Sequence, residues 1–362
     1  MSGTGVGDGG SAGSETIAAP PSATLEVGPG RPGDHWWSSI LARESAGGVA
    51  ILIGVVVYAL LNNNPYGLEV GSNIATFGLA AIGLTLVVGA AGQLALGQAG
   101  FMAIGGYAVA LLTLKAGFSF FPALLVGSAA AGVAGLVVGY IALRLQGNYL
   151  AVATLAFGAL IPALADVNGP FGGPAGLSGI GIPTIGPLQF TSPLSQYVLP
   201  WVVVGLAFVG GKLLLHSRLG RQTMAMRDDE LASRCVGISV TRRKVQIFVI
   251  GAVLAGLAGT MMAAIQGTVA PNTFGPTESL QIFLMIVLGG LGSMSGAIVG
   301  AAIVVEIIQI VPGTGAYALT ALGAVVIVLM MVAPRGGLDA QRAAVWLWQQ
   351  ARRRLSDRRA VP

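Results

Sequence analysis

Ten apolar runs dominate this sequence, and several approach the roughly 20 residues that a helix needs to cross a bilayer. They cover approximately residues 47–61, 73–91, 94–114, 120–143, 148–164, 197–215, 245–267, 278–292, 296–311 and 316–333. Some runs are shorter, so tilted, re-entrant or broken helices are expected among them. The pattern predicts an all-α, polytopic membrane protein with about ten transmembrane or re-entrant helices.

Composition supports a membrane environment. Of the 362 residues, 54% are hydrophobic and 9% are charged, whereas a soluble domain carries about 25% charged residues. The 56 glycines fit close helix packing in lipid, where small side chains let backbones approach one another.

No catalytic, metal or cofactor arrangement is found in the sequence. A nucleophile elbow, a metal-ligand spacing and a Walker lysine are all missing, so the chain is not expected to be an enzyme. Its single cysteine, Cys235, cannot form an intrachain disulfide, and His35 lies far from His216 along the chain. We therefore expect no cofactor and no metal.

The placement of positive charge predicts an orientation. Seven Lys or Arg residues fall within residues 218–244 and seven more follow Met331, which the positive-inside rule assigns to the cytoplasm. No aromatic residues interleave the charges at 218–244, so nucleic acid is not the expected partner. Ten alternating crossings also place residues 165–196 outside, and this stretch contains no Lys or Arg.

Three regions follow from this pattern. Residues 1–45, rich in Gly, Ser, Ala and Pro, predict a disordered cytoplasmic tail. Residues 46–335 form the transmembrane domain, with a cytoplasmic loop at 216–244 and a turn-rich external loop at 165–196. Residues 336–362 form a basic cytoplasmic tail.

The cytoplasmic loop contains an acidic run inside a basic stretch. A single helix is predicted over residues 222–236, with Met224, Arg227, Leu231 and Cys235 on one stripe and Gly237 as its stop. Membrane adhesion and orientation do not require the acidic run, so a helix that docks a soluble partner is one interpretation. A solvated linker is the other.

Three segments carry a family resemblance. Residues 83–107, which contain Gly-Gln-Leu-Ala-Leu-Gly-Gln-Ala-Gly, together with residues 145–155 and 285–293, are similar to LivM-type permeases of branched-chain amino acid ABC transporters. The resemblance covers roughly residues 70–335. Residues 220–239 also resemble, loosely, the cytoplasmic EAA-type loop that seats on the ATPase of ABC importers.

The resemblance implies a large ABC importer permease fold in a bacterial inner membrane, with both termini cytoplasmic. It implies four kinds of partner: a second homologous permease, two cytoplasmic ABC ATPases, an extracytoplasmic binding protein and membrane lipid. Branched-chain amino acids are the implied substrates. The residues expected to couple the permease to the ATPase are Arg227, Asp228, Asp229, Glu230, Leu231, Ala232 and Gly237.

Polar residues within the apolar runs are candidates for the translocation pathway. Gln93 and Gln98 have glycine neighbours that expose backbone groups, which must be satisfied in a cavity or by protein. An interhelical hydrogen bond is the alternative role for each. The further candidates are Asn148, Tyr149, Thr154 and Glu306. The first three fit an interfacial position equally well, and Glu306 fits a packing role or the outer interface as well as the costly membrane interior.

Other functions stay open at this point. A urea or short-amide permease resembles the same branch and uses the same loop. A gradient-driven secondary transporter or channel predicts charged relays in several spans, and Glu306 is the only intramembrane acid that the sequence identifies. Residues 88–93 also resemble residues 288–293, which is consistent with an internal repeat or with coincidence in a glycine-rich chain.

Overall fold

Helices make up most of the chain that the structure describes, which confirms the all-α prediction. The computed structural model describes residues 54–60, 64–142, 148–167, 169–181, 184–185, 188–189, 192–310 and 323. Both predicted tails, most of the first apolar run and nearly all of the last lie outside these residues. Residues 54–60 form a short helical piece.

Ten helices follow in chain order within the described residues. They are α1 (Pro65–Leu84, continued by a π-helix over Thr85–Ala90), α2 (Gln98–Leu114), α3 (Phe120–Ala142), α4 (Asn148–Val167), α5 (Pro193–His216), α6 (Arg218–Asp228), α7 (Glu230–Cys235), α8 (Val240–Gln266), α9 (Pro276–Gly289) and α10 (Met294–Ile310). Five of these, α1 with its π-helix, α3, α4, α5 and α8, are long and apolar enough to cross a membrane, whereas α2 and α10 are shorter apolar helices. Eight of the ten predicted apolar runs coincide with helices.

Local signals explain several helix ends. Proline occupies the first turn of α1, α5 and α9, where its missing N–H costs no hydrogen bond. The side chain of Ser192 caps α5 by accepting a hydrogen bond from Ser195 N at 3.2 Å. At the other end of α9, Gly290 has φ of 101°, a conformation that ends a helix at little cost only in glycine.

The short strands gather at one end of the helix bundle, the strand end. There β1 (Leu177–Ser178) pairs antiparallel with β4 (Thr268–Val269), which follows α8. In a separate two-stranded sheet, β2 (Thr184–Ile185) pairs antiparallel with β3 (Leu188–Gln189) as a hairpin. The predicted turn-rich loop at 165–196 contains β1, β2, β3 and two short 3-10 turns. The helices α6 and α7 lie at the opposite end, the α6 end.

The centre of the bundle is built around α8, which packs against α1, α2 and α3. Close approach there depends on small residues. At Gly259 on α8, an added Cβ atom would overlap the carbonyl oxygen of Met102 on α2, so no larger residue fits without moving the backbone. Such contacts bury α1 and α8 while leaving large parts of α4 and α5 exposed.

Candidate functional site

The predicted single helix over residues 222–236 is wrong, because the structure divides it at Asp229. There the backbone is extended, with φ of −153° and ψ of 111°, and α6 ends while α7 begins. The Asp229 side chain accepts a hydrogen bond from Ala232 N at 2.9 Å, as an N-cap residue does. The predicted stripe of four residues is therefore split between two helices.

Charged residues of α7 tie this segment to α8. Glu230 accepts hydrogen bonds from Lys244 Nζ and from Arg234 Nη2, each at 2.7 Å. The hydrogen bond from Lys244 and, to a smaller extent, that from Arg234 lower the pKa of Glu230 below its usual value, although partial burial acts in the opposite direction. Glu230 is therefore fixed in place as a carboxylate at neutral pH.

The remaining residues of the predicted coupling set present an open surface. Leu231 is 75% exposed, and Gly237 ends α7 with φ of 82°. The exposed members are Arg227, Asp228, Asp229, Leu231, Ala232 and Gly237, and Cys235 beside them is exposed as well. On such a surface, acidic side chains around an apolar one can select a partner that carries complementary positive charge.

Arg227 connects this surface to the transmembrane helices. Its Nη1 donates a hydrogen bond to the carbonyl oxygen of Gly89, in the π-helix that continues α1. Its Cγ atom lies 3.1 Å from the position that a Cβ on Gly92 would take. Arg227, the second-to-last residue of α6, therefore packs against the turn that follows α1.

The two similar glycine segments meet at the α6 end. A Cβ added to Gly89 would lie 2.6 Å from the Cα of Gly292, so the turn after α1 touches the turn between α9 and α10. Gly92 and Gly292 occupy equivalent places in the two sequences, and both have positive φ, at 66° and 98°. The similarity in sequence therefore corresponds to a similarity in local backbone and to direct contact.

Gln93 and Gln98 flank a non-helical segment between α1 and α2. Both residues are 4% exposed. Neither amide atom of Gln93 has a hydrogen-bond partner among the described residues, and the Gln98 Oε1 atom also has none there. Because buried amides normally find partners, these two side chains are suited to hold water or a polar ligand.

Thr154 is brought to this same segment. Its Oγ1 accepts a hydrogen bond from Leu96 N at 2.9 Å and donates to Leu150 O within α4. In the first turn of α2, Ala99 N donates a hydrogen bond to Ser279 Oγ on α9 at 3.1 Å. Side chains from α4 and α9 therefore satisfy backbone groups that the break before α2 leaves without helical partners.

The other pathway candidates lie elsewhere. Tyr149 is 75% exposed, and the side chain of Asn148 lies outside the described residues. Glu306 accepts a hydrogen bond from Tyr58 Oη at 2.9 Å, one turn before Gln309, which bonds Tyr66 near the start of α1. Glu306 is thus close to the strand end of α10 and apart from the two glutamines.

The sequence analysis missed Glu278 and Ser279. Glu278 is the third residue of α9, and its Oε2 atom is buried without a hydrogen-bond partner among the described residues. Like Glu306, it is an acidic residue on an apolar helix of the bundle. The signal was present, because Pro276 at the first position and an acid at the third mark a helix start.

A polar cavity of about 480 Å³ opens at the strand end, where α1, α5 and α8 come together. Its lining residues are Pro65, Glu69, Ser72, Pro193, Gln196, Ile265, Gln266 and Thr268. Among the described residues, no three His, Cys, Asp or Glu side chains lie close enough to hold a metal ion. The cavity therefore offers hydrogen-bonding groups and one carboxylate rather than a metal centre.

Comparison with known proteins gives a consistent result. Residues 68–334 match a family described as the permease component of branched-chain amino acid transport systems. The high-affinity branched-chain amino acid transport system permease protein LivM of Salmonella typhimurium is 35% identical over 288 residues, which cover 73% of this chain and 68% of that protein. The LivM protein of Escherichia coli shows the same identity and coverage.

More distant relatives share shorter stretches. A probable LivM protein of Methanocaldococcus jannaschii is 28% identical over 47% of this chain and 51% of its own length. The permease protein LivH of Escherichia coli is 34% identical over 28% of this chain and 32% of its own length. No solved structure matches the chain significantly. The relatives named here are transport permease proteins and not enzymes.

Proposed function

The chain belongs to the family of permease components of branched-chain amino acid transport systems, and from this membership we propose that it forms part of the membrane pore of an ABC importer. The substrates are branched-chain amino acids. The observation that carries this proposal is the 35% identity to LivM over 73% of the chain. The comparisons do not favour the urea, short-amide or gradient-driven alternatives.

The proposed assembly contains a second, homologous permease, two cytoplasmic ABC ATPases and an extracytoplasmic substrate-binding protein. In a bacterial inner membrane, the α6 end faces the cytoplasm and the strand end faces outward. This orientation follows the seven basic residues at 218–244 and the lack of Lys and Arg at 165–196. It assigns residues 1–45 and 336–362 to cytoplasmic tails around a permease domain at 46–335.

The α6 and α7 helices are the proposed docking site for an ATPase. The acidic and apolar side chains exposed there provide the contact surface, with Asp228, Asp229 and Leu231 at its centre. The ion pair between Glu230 and Lys244 holds α7 to α8, so a movement of the bound ATPase is transmitted to a central transmembrane helix. Nucleotide binding then supplies energy that the permease lacks by itself.

The segment between α1 and α2 is the proposed part of the pathway. Gln93 and Gln98 present unpaired amide groups there, and Thr154 holds the segment in its non-helical form. Broken helices with irregular backbone line substrate paths in many transporters. Asn148 and Tyr149, at the cytoplasmic start of α4, and Glu306, near the outer end of α10, belong to the entrance regions of that path.

Reconstituted transport tests the function. The chain, its genomic partner permease and the two ATPases are placed in proteoliposomes with the binding protein, and ATP-dependent uptake of radiolabelled leucine and urea is compared. Leucine uptake without urea uptake is expected. Urea uptake alone, or leucine uptake that a proton gradient drives without ATP, overturns the proposal.

The docking site has its own test. Replacing Asp228, Asp229 and Glu230 together by alanine is expected to abolish ATP-dependent uptake and retention of the ATPase in a pull-down, with membrane insertion unchanged. The matched control is Asp166→Ala, which removes an exposed acid near the end of α4 at the strand end. Wild-type uptake and pull-down in the triple variant contradict the docking role.

A further inference from the structure

Arg227 occupies the meeting point of two helix ends. The first is the end of α1, where its Nη1 donates to the carbonyl oxygen of Gly89. The second is the turn after α9, since the same Nη1 atom lies 3.7 Å from the position that a Cβ on Gly292 would take. A cationic side chain from α6 therefore reaches both glycine turns at once.

Electrostatics favours this placement. The last carbonyl groups of a helix lack intrahelical partners and carry partial negative charge. Gly89, at the end of the π-helix that continues α1, touches Gly292 in the turn between α9 and α10. The Arg227 guanidinium places a positive charge at this end of α1 and donates a hydrogen bond to the carbonyl oxygen of Gly89.

The position of Arg227 on α6 means that a movement of α6 moves this contact. Arg227 comes two residues before Asp229, where the chain turns from α6 into α7. On its other side, α6 is capped by Ser217, directly after α5. A shift of the α6–α7 segment therefore moves the guanidinium relative to the turns, while Gly92 and Gly292, with positive φ, form a sharp reversal at each turn.

We propose that Arg227 is a positioning residue that holds the two glycine turns together and links them to the ATPase-docking segment. The hairpins α1–α2 and α9–α10 then move as one unit when α6 moves. This inference rests on the proposed function for its coupling role. The contact between Arg227 and the two turns is a property of the permease by itself and can be tested without the partner subunits.

The first experiment uses the permease alone. Spin labels are attached to cysteines at Leu94 and Leu291, two exposed residues next to the turns, in a Cys235→Ser background, and the distance distribution is measured by pulsed electron spin resonance. A narrow distribution is expected with Arg227 and a broader or longer one in Arg227→Ala. Arg227→Lys keeps the charge but not the planar fork, and it is expected to fall between the two.

The control is Arg221→Ala. Arg221 is on the same helix, and its Nη1 donates to the carbonyl oxygen of His216, the last residue of α5, at 2.5 Å. Its loss removes an arginine from α6 without touching either turn. Identical distance distributions in wild type, Arg221→Ala and Arg227→Ala overturn the inference, whatever the complex transports.

The second experiment uses the full complex. Arg227→Ala is expected to lower leucine uptake per ATP hydrolysed about tenfold, with membrane insertion unchanged, because the docked ATPase no longer moves the two glycine turns. Arg227→Lys is expected to restore part of this ratio. An unchanged ratio in Arg227→Ala overturns the coupling role. Absence of ATP-driven leucine uptake in the wild-type complex contradicts the proposed function and leaves the distance measurement to decide on Arg227.

Discussion

The central and peripheral helices are both apolar, yet they differ in what surrounds them. In the most apolar stretch of α1 with its π-helix, 89% of the residues are buried, and in that of α8 the share is 72%. The corresponding shares are 28% for α4 and 22% for α5. Hydrophobic character therefore shows that a helix can enter a membrane, but it does not show whether protein or lipid covers that helix.

Small side chains are what distinguish the centre. On α8, Gly256 and Gly259 approach the backbone or side chains of α3 and α2, whereas Gly205 and Gly210 on α5 have no other atom within 4 Å of an added Cβ. Lipid tails are as apolar as leucine, so burial of apolar surface does not by itself select a helix neighbour. Close packing does, and glycine on α8 makes it possible.

The largest effect is expected from Gly259→Leu. The first atom of the new side chain overlaps the Met102 carbonyl, which cannot move independently of α2. We expect a loss of more than about 4 kcal/mol in the free energy of unfolding, seen as loss of the monodisperse peak in detergent chromatography. Gly205→Leu on α5 is the matched control and should retain that peak. If both variants kept the peak or both lost it, close packing would not explain the difference between the central and the peripheral helices.

Truncation of a large side chain should give the next largest effect. Leu79 on α1 is 1% exposed and Leu206 on α5 is 69% exposed. Leu79→Ala is expected to cost about 3 kcal/mol through the cavity it leaves, whereas Leu206→Ala is expected to change stability by less than about 0.5 kcal/mol. Thermal unfolding in one detergent measures both. A larger effect of Leu206→Ala would mean that another protein surface, retained in detergent, covers α5.

The peripheral helix α4 has one side that is covered by protein, and Thr154 lies there. Thr154 is fully buried, and Thr154→Val leaves Leu96 N without an acceptor. We expect a cost of about 2 kcal/mol, together with faster amide exchange of residues 94–97. Thr113→Val is the control, because the Thr113 hydroxyl bonds only to carbonyl groups of its own helix. Unchanged exchange at Leu96 in the first variant would refute the contact.

The smallest effect concerns α7, outside the bundle. The hydrogen bond from Lys244 lowers the pKa of Glu230, so this carboxylate contributes stability above the pKa it has in the unfolded chain and loses that contribution as pH falls through its folded value. We expect Glu230→Gln to melt slightly below wild type at pH 7 and to match it at low pH. A constant difference between the two melting temperatures across that range would exclude the ionised pair as the cause.

The sequence predicted the apolar runs well because hydrophobic length is a local property. It failed at Asp229, where the acidic run was interpreted as a helical docking face although aspartate is also a strong N-cap residue. The contact between Thr154 and Leu96 could not be predicted, because it joins residues 58 positions apart and depends on how α4 packs. The similarity of the two glycine turns was visible in the sequence, but their contact was not.

Cys235 is the single cysteine of the chain, and it is exposed at the end of α7. Thiol chemistry can therefore address one known position in the unaltered protein. A membrane-impermeant maleimide added to intact cells reacts with Cys235 only if the α6 end faces outward, and added to inverted vesicles only if that end faces the cytoplasm. One labelling experiment thus determines which side of the membrane the α6 end faces. Slower labelling of Cys235 in the presence of the ATPase would show that the ATPase covers this thiol.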